Sequence, residues 1–510
     1  MSKLSKTDYI SYRECPHNVW VKWHNQKEYD KHELSDFEKS LIEAGIGVEE
    51  LARNKFPNGF LIEKRSAGAE ELTKKLIDEK TPVIFQAVFS TDRFLAAADV
   101  LKWNSIAQAY DIYEIKMSNS EEEDENGNLK KNKKKEEQFE HDLAFQTIVI
   151  EASGVKLNKK YLVRLNRKYV RQGELNFDEL FLEEDKSPVV ESLREQVELE
   201  MEEAYKFLSK EKMPPPPCVC YYKGRSSHCT TFSYINPNVP EYSIHDLNRI
   251  GNSKKFLEEL LDEGILAMDD VEIDDRLKGA KLNQVIAHKK GSPVVDLDKI
   301  KEELENLTFP LYFLDYETYP TAIPPFNGYT PFQHIVFQYS LHVLDSAESE
   351  PKHFECLILQ GDPSKKIAES LREHIDEKGT IVSWHKAFEN SRNKELAKLV
   401  PEHSKFLLRL IDRTYDLKDI VEKQYFVHPE FRGKSSIKKV LPVLVPELSY
   451  SNLGVKSGTD AIESYRQISA GEITSNELEN RKQEMLEYCK LDTYAMYKIW
   501  KAFSNLIAEN

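Results

Sequence analysis

LYFLDYETYP, residues 311–320, sets two carboxylates one residue apart inside an apolar, aromatic run. A short run of this kind, bounded by polar residues, reads as a buried strand. Positions i and i+2 of a strand share a face, so Asp315 and Glu317 project together. Bare charges are costly in such surroundings. The pair is therefore expected to hold a metal ion. The plain alternative is an edge strand with its charges in water, against which Phe313, Leu314 and Tyr316 speak.

Two further segments supply what such a pair needs. TIVSWHKAFENSRNKELA, residues 380–397, reads as strand, turn and helix, with Glu389 in the first helical turns. EMLEYCKLDTYAMYKIW, residues 484–500, is an amphipathic helix on which Tyr488 and Asp492 lie four apart, hence on one face. Four carboxylates from three elements suit two divalent ions that clamp a phosphodiester, one activating water and one stabilising the leaving oxygen. The ions are Mg2+ or Mn2+, and a tyrosine beside the last aspartate can orient the water. Taken alone, Tyr488 and Asp492 could equally be an exposed helix pair.

A second constellation lies nearer the N-terminus. AAADVL places Asp99 on a strand, and YEIKMS places Glu114 and Lys116 on one face of the next. Two acids and a lysine can bind a divalent ion and stabilise charge on an attacked phosphate. The alternative, a solvated E-x-K face, is weakened by the alanines before Asp99 and by Tyr113, Ile115 and Met117.

The chain has 510 residues, 31 % of them charged, with a formal net charge of −16. That length suits two to four domains. No apolar run approaches the ~20 residues a membrane span requires, and the first twenty residues lack the apolar segment of a signal peptide, so the expected location is cytoplasmic. The negative charge does not favour nucleic-acid binding in bulk, but acids that hold metal ions are neutralised in use. Six cysteines are present, three of them crowded into PPPPCVCYYKGRSSHCTTF as Cys218, Cys220 and Cys229. With Cys15 they make four thiolates, the ligand set of an iron–sulfur cluster or a structural Zn2+. Cys356 reads as core and His228 as a surface residue.

Along the chain, residues 1–55 read as helical with a glycine break near 45–47, and residues 82–116 as three strands. NSEEEDENGNLKKNKKKEEQ, residues 119–138, reads as a mobile charged insertion. The prolines at 214–217 are expected to end a long helix. Three domains are expected: 1–235 with the cysteines, a helical connector at 236–307, and an α/β domain at 308–510.

Asp99 with Glu114-x-Lys116 resembles the PD-(D/E)XK nuclease superfamily, and within it the RecB-like branch that includes CRISPR-associated nucleases. The resemblance implies an acid on an upstream helix, Glu50 with Glu49 as runner-up in GIGVEELA, and a glutamine on the following helix, Gln146 in HDLAFQTIV. The tyrosine that this family often carries four residues later is Ile150 here. RecB-like nucleases with a cluster split their cysteines as this chain does, which implies a [4Fe–4S] centre bound by Cys15, Cys218, Cys220 and Cys229, with Zn2+ as the alternative. D-x-E, an acid after a strand and Y-x3-D resemble the DnaQ-like DEDD exonucleases of the ribonuclease H fold, in their tyrosine subtype. Glu389 stands where that family carries an aspartate, and GKSSIKKVLP (433–442) resembles its S-L-K segment. Asp412 and Asp416 are secondary acids.

Both halves together resemble a bacterial family joining a RecB-like nuclease, a helical connector and a DnaQ-like domain. The function this implies is a metal-dependent deoxyribonuclease with two centres, one cutting or resecting strands and one removing nucleotides from a 3′ end, in repair or defence. The competing readings are a scaffold whose sites have decayed and an exonuclease directed at RNA, for which Tyr221, Tyr222 and Tyr319 could stack on bases.

Overall fold

The computed structural model describes residues 2–63, 68–123, 129–451 and 453–509. It is a mixed α/β protein that divides into two compact units. The first comprises residues 1–221, 227–237 and 322–332; the second comprises 222–226, 238–321 and 333–510. The expected connector is thus part of the second unit. There it builds a small core of its own from Ile244, Leu247, Leu257, Leu260, Met268 and Val285. Residues 322–332, expected within the C-terminal domain, belong instead to the first unit. Arg171 fixes them there, its guanidinium donating to the carbonyls of Pro324 and Pro325 at 3.0 and 2.8 Å.

The first unit is built on a sheet whose centre is a meander, Val83–Ser90, Phe94–Asn104 and Ala109–Asn119, each antiparallel to the next. These strands are rich in β-branched, aromatic and alanine residues that fit a pleated, covered surface. The helix Lys133–Ala152 then crosses over, and Leu157–Leu165 returns parallel to Ala109–Asn119. Val48, Ala52, Phe85, Val100, Tyr113 and Val163 form the core between this sheet and the helix Asp36–Ala52.

Three local expectations change. The helix Asp36–Ala52 runs unbroken through Gly45 and Gly47, which have open space around them. A Ser35–Glu38 capping box starts it, which offsets part of the ~1 kcal/mol that each glycine costs. Within the expected insertion at 119–138, residues 124–128 lie outside the described residues. Glu122–Glu123 pairs with Leu129–Lys130, and the next helix already begins at Lys133 behind the Asn132 cap. The helix Ser187–Leu208 ends six residues before the first of the four prolines, at a Ser209 C-cap.

The second unit has a five-stranded sheet in the order Lys352–Leu357, His334–Leu344, Leu311–Pro320, Thr380–Ser383, Thr414–Asp416. The first three strands are antiparallel and the last two run parallel to Leu311–Pro320. Leu311–Pro320 is therefore central and covered on both faces. Tyr312, Leu314 and Tyr316 join the core formed with Ile367, Leu371, Leu396 and Leu407. Phe313 faces the other way, with its ring against Tyr497 and Trp500 of the helix Ser475–Ala508. That helix buries Met485, Tyr488, Cys489, Asp492, Met496, Ile499, Trp500 and Phe503, a stripe of helical period. Each large apolar side chain on it contributes ~1.5–3 kcal/mol. Gln338 Nε2 donates to the Met485 carbonyl at 3.0 Å, and Ser340 and His342 bond Thr493 at 2.7 and 2.8 Å. These buried polar residues fix where the helix sits along the sheet, and so where its acids lie.

Candidate functional sites

The alternation of Leu311–Pro320 sends Asp315 and Glu317 to the side of the strand that carries Phe313, toward the helix Ser475–Ala508. A register shift after Glu317 interrupts the pairing, which resumes one residue on with Thr318 opposite Val336; bulges are common beside functional sites. The strand Thr380–Ser383 leads into the helix Lys386–Leu399 through His385, whose φ is +92°. Asp416 accepts from the backbone N–H groups of His385 and Lys386 at 2.9 and 2.8 Å and so holds this turn. Asp416 is thus structural, and it aims Glu389.

Asp315, Glu317, Glu389, Tyr488 and Asp492 line one open cleft. Glu317, Glu389 and Asp492 are 7, 4 and 7 % exposed. Among the described residues, none of these four acids is within ion-pair distance of a lysine or arginine. Burial, then the charge of Asp492, pushes Asp315 well above the usual carboxylate range. Burial, then Asp315 and Asp492, does the same to Glu317. Glu389 is raised by burial and by Asp315, and its Oε2 has no hydrogen-bond partner. Burial lifts Asp492 to about 6, although Tyr450 donates to its Oδ1 at 2.6 Å. The Lys438 ammonium lies 5.3 and 5.1 Å from the ring centroids of Tyr450 and Tyr488. A buried, uncompensated set of acids like this suits divalent cations.

In the first unit, the strands Phe94–Asn104 and Ala109–Asn119 pair only from Val100 and Tyr113 outward. Asp99 and Glu114 stand where the two strands part. Asp99 Oδ2 accepts from the Ile115 N–H at 2.9 Å. Glu114 Oε1 accepts from Lys116 and Lys6 at 2.7 and 2.6 Å, and its Oε2 accepts from Gln146 at 2.8 Å. Burial alone would raise Glu114, but Lys116 and Lys6 outweigh it and hold it well below the usual range. Burial, then Glu114, lifts Asp99 to about 7 against the pull of Lys6.

Glu49, not Glu50, is the helix acid turned inward. Glu49 is buried and accepts from Arg53 at 2.6 Å and from Gln86, whereas Glu50 is exposed. Adjacent helix positions lie about 100° apart, so only one of them faces the sheet. Ile150 is fully buried in core packing.

Several residues of these centres were not singled out in the sequence. Lys6 is carried in by Leu4–Ser5, which pairs with the start of the strand Phe94–Asn104. No local signal marks it. Asp142 bonds Lys116 and receives Gln146 Nε2 at 3.1 Å; its place one helical turn before Gln146 was the available sign. Gln86 lies opposite Asp99, where the ladder is interrupted without a change of register, at φ +57°, and donates to both Asp99, at 3.2 Å, and Glu49. A glutamine in PVIFQAVFS was visible as a polar residue in an apolar strand. Tyr450 comes from an irregular segment whose path pattern alone does not give, while Lys438 lies in GKSSIKKVLP, noted above for its resemblance but without a role for this lysine.

The sulfurs of Cys15, Cys218, Cys220 and Cys229 lie within 4.8 Å of one another. Asn236 donates to Cys218 Sγ at 3.3 Å. Hydrogen bonds from Cys15, Cys220 and Cys229 hold Cys218 far toward the thiolate. Four converging sulfurs, three of them buried, can hold a metal centre. A single Zn2+ with Zn–S of about 2.3 Å has tetrahedral edges of about 3.8 Å, which this compact set fits. A cubane needs a wider set, since each sulfur binds its own iron.

Fold and sites thus define a mixed α/β protein with two acid-lined centres and a four-cysteine centre. Residues 312–436 match the family model described as "Domain of unknown function (DUF2779)". The chain is similar to the uncharacterized protein MG366 of Mycoplasma genitalium, 28 % identical over 232 residues, which are 42 % of this chain and 35 % of that protein. It is also similar to the uncharacterized protein UU173 of Ureaplasma parvum, 28 % identical over 218 residues, 39 % of this chain and 31 % of that protein. The chain therefore spans about a third of the length of these curated relatives. Among the described residues, no helix is long and apolar enough to cross a membrane.

Proposed function

We propose that this protein is a metal-dependent phosphodiesterase acting on DNA, with a RecB-like centre in the first unit and a DnaQ-like exonuclease centre in the second. One observation carries the reading. Asp315, Glu317, Glu389 and Asp492 come from three elements, are largely buried, and meet in one cleft with no lysine or arginine at ion-pair distance among the described residues. Strand order and direction in the second unit, antiparallel on one side of Leu311–Pro320 and parallel on the other, agree with a ribonuclease-H-like sheet. Helix, meander, crossover helix and parallel strand in the first unit agree with a PD-(D/E)XK core.

In the second centre, Asp315, Glu317, Glu389 and Asp492 would hold the ions. Bound Mg2+ or Mn2+ supplies an activated water and stabilises the leaving oxygen. Tyr450 fixes the Asp492 carboxylate through its hydroxyl. The Tyr488 hydroxyl, beside Asp492, orients the attacking water. Lys438 adds positive charge for the phosphate. The longer arm of Glu389 still reaches the cleft, which supports a working site over a decayed one. In the first centre, Asp99 and Glu114 would bind the ion, Lys116 would stabilise charge on the phosphate, and Gln146 holds Glu114. The four-cysteine centre would join Cys15, near the start of the first unit, to Cys218, Cys220 and Cys229, some two hundred residues on in the same unit, and so clasp it. The resemblance implies [4Fe–4S], and the sulfur spacing supports Zn2+.

The test is cleavage of end-labelled single-stranded DNA, duplex DNA and RNA after chelation and re-addition of Mg2+ or Mn2+. Ion-dependent DNA cleavage, lost in Asp99→Ala and Asp315→Ala combined, is expected. Ion-dependent binding without cleavage would favour the scaffold, and cleavage confined to RNA would reassign the substrate. Iron and zinc content with a visible spectrum identifies the cysteine-bound metal.

A further inference from the structure

The proposed mechanism of the second centre leaves Cys489 unused. It lies three residues before Asp492 on the same helix and is fully buried. Residues i and i+3 of a helix share a face, so the thiol points where the Asp492 carboxylate points. Its Sγ is 4.0 Å from Asp315 Oδ2. The sulfur and one oxygen each of Asp315 and Glu317 all lie within 4.8 Å of one another. With metal–ligand distances of about 2.0–2.3 Å, neighbouring ligands of one tetrahedral cation lie about 3.3–3.8 Å apart, so closing the 4.0 Å gap between Sγ and Oδ2 by about half an ångström would bring both onto one ion.

A buried cysteine beside acids would ordinarily be a core residue. A second observation points to a ligand. Glu389, 4 % exposed and lining the cleft with Asp315 and Glu317, keeps Oε2 without a hydrogen-bond partner among the described residues. Buried carboxylate oxygens are rarely left unsatisfied, and an ion among Asp315, Glu317 and Cys489 would give the site the charge that it lacks.

We propose that Cys489 is a direct ligand of the ion held by Asp315 and Glu317, so that one metal position of this centre takes a thiophilic divalent ion, Zn2+ or Co2+, in preference to Mg2+. The proposal rests on the phosphodiesterase reading only for the purpose of the ion. Its geometry stands without it. Thiolate ligands favour zinc-like ions, while an all-oxygen site favours Mg2+. Binding releases the thiol proton to solvent. Such an ion retains the Lewis acidity that phosphodiester hydrolysis needs, so the site would work with an ion other than the one its carboxylates alone would select.

The experiment is a Co2+ titration of the full chain with its four-cysteine centre already filled, followed by the sulfur-to-cobalt charge-transfer absorption in the near ultraviolet. Wild type is compared with Cys489→Ser and Asp315→Asn, and Cys489→Ala serves as a second variant. Circular dichroism and melting establish that each variant is folded. The expected result is a one-equivalent band in wild type that disappears in both Cys489 variants. In Asp315→Asn the same band should need at least about tenfold more Co2+. In parallel, Zn2+ should raise the Tm of wild type more than Mg2+ does, and this preference should vanish in Cys489→Ser. Equal bands in wild type and Cys489→Ser would overturn the proposal, even if Mg2+-dependent cleavage were intact. A cysteine-dependent band in a protein that cleaves nothing would uphold it and sink the nuclease reading instead.

Discussion

The two acidic centres solve the same electrostatic problem in opposite ways. In the first unit, Glu114 is 1 % exposed yet holds its charge, because Lys6 and Lys116 bond it directly. In the second, four acids crowd together, and the ammonium of Lys438 lies over tyrosine rings and donates to the Lys456 carbonyl. Acids neutralised from within need only one more ion to complete a site. Acids left uncompensated depend on ions from outside. On the proposed reading the first centre is a largely preorganised site, and the second would be assembled by the ions it takes up.

The largest expected effects separate the two centres by activity. Asp315→Ala should abolish end-directed release of nucleotides and leave strand cutting by the first centre, and Asp99→Ala the reverse. Each loss should approach a thousand-fold, the several kcal/mol that metal-ion catalysis supplies. Product analysis on end-labelled strands checks it. If both variants lost the same product, the comparison of two independent centres would break.

Removing a lysine should also tell the centres apart. Lys6→Ala takes a charge-assisted hydrogen bond from buried Glu114 and should cost about 1–3 kcal/mol of stability. Lys438→Ala removes ring contacts and an exposed hydrogen bond to the Lys456 carbonyl and should cost at most about 1 kcal/mol. Denaturant melts of the two variants sharpen the contrast, and equal losses would erase it.

Protonation carries the same contrast. Asp99 and Asp492 are raised to about 7 and about 6 in the fold, against about 3.9 when unfolded. Groups raised in this way stabilise the fold fully below the unfolded value, and that contribution is lost as pH climbs through the folded value. Glu114, held low, acts in the opposite sense, losing its contribution only as pH falls through its depressed folded value. Between pH 5 and 8 the ion-free protein should therefore lose stability. Added Mn2+ should raise Tm more at pH 8 than at pH 5. Thermal melts at the two pH values, with chelator and with Mn2+, measure this. An equal rise at both would mean that the ion does not replace protons on these acids.

The smallest expected effect concerns neighbouring acids. Glu50→Ala should change cleavage and stability within ±0.5 kcal/mol, as exposed substitutions generally do. Glu49→Ala should impair the first centre, since it frees Gln86 and Arg53. Cleavage assays on the pair decide it.

What the sequence made legible was whatever lies within one element. Asp315 with Glu317, Glu114 with Lys116, and Tyr488 with Asp492 are each set by strand or helix period alone. Glu49 and Glu50 were adjacent choices, and helical period without the partner sheet does not say which faces in. Lys6 and Tyr450 reach their centres through strand pairing and irregular chain, which no spacing encodes. Gln86 depends on a positive φ within its strand, a conformation that a residue other than glycine adopts at a cost of ~1–2 kcal/mol. The membership of 322–332 in the first unit depends on long-range packing around Arg171, and local pattern carries no trace of it.

The most direct measurement is anomalous diffraction from crystals grown with saturating Mn2+. Peaks should lie within about 2.0–2.2 Å of the carboxylate oxygens of Asp315, Glu317, Glu389 and Asp492. An ordered cleft that holds those four acids and no ion would contradict the claim that they converge to bind metal.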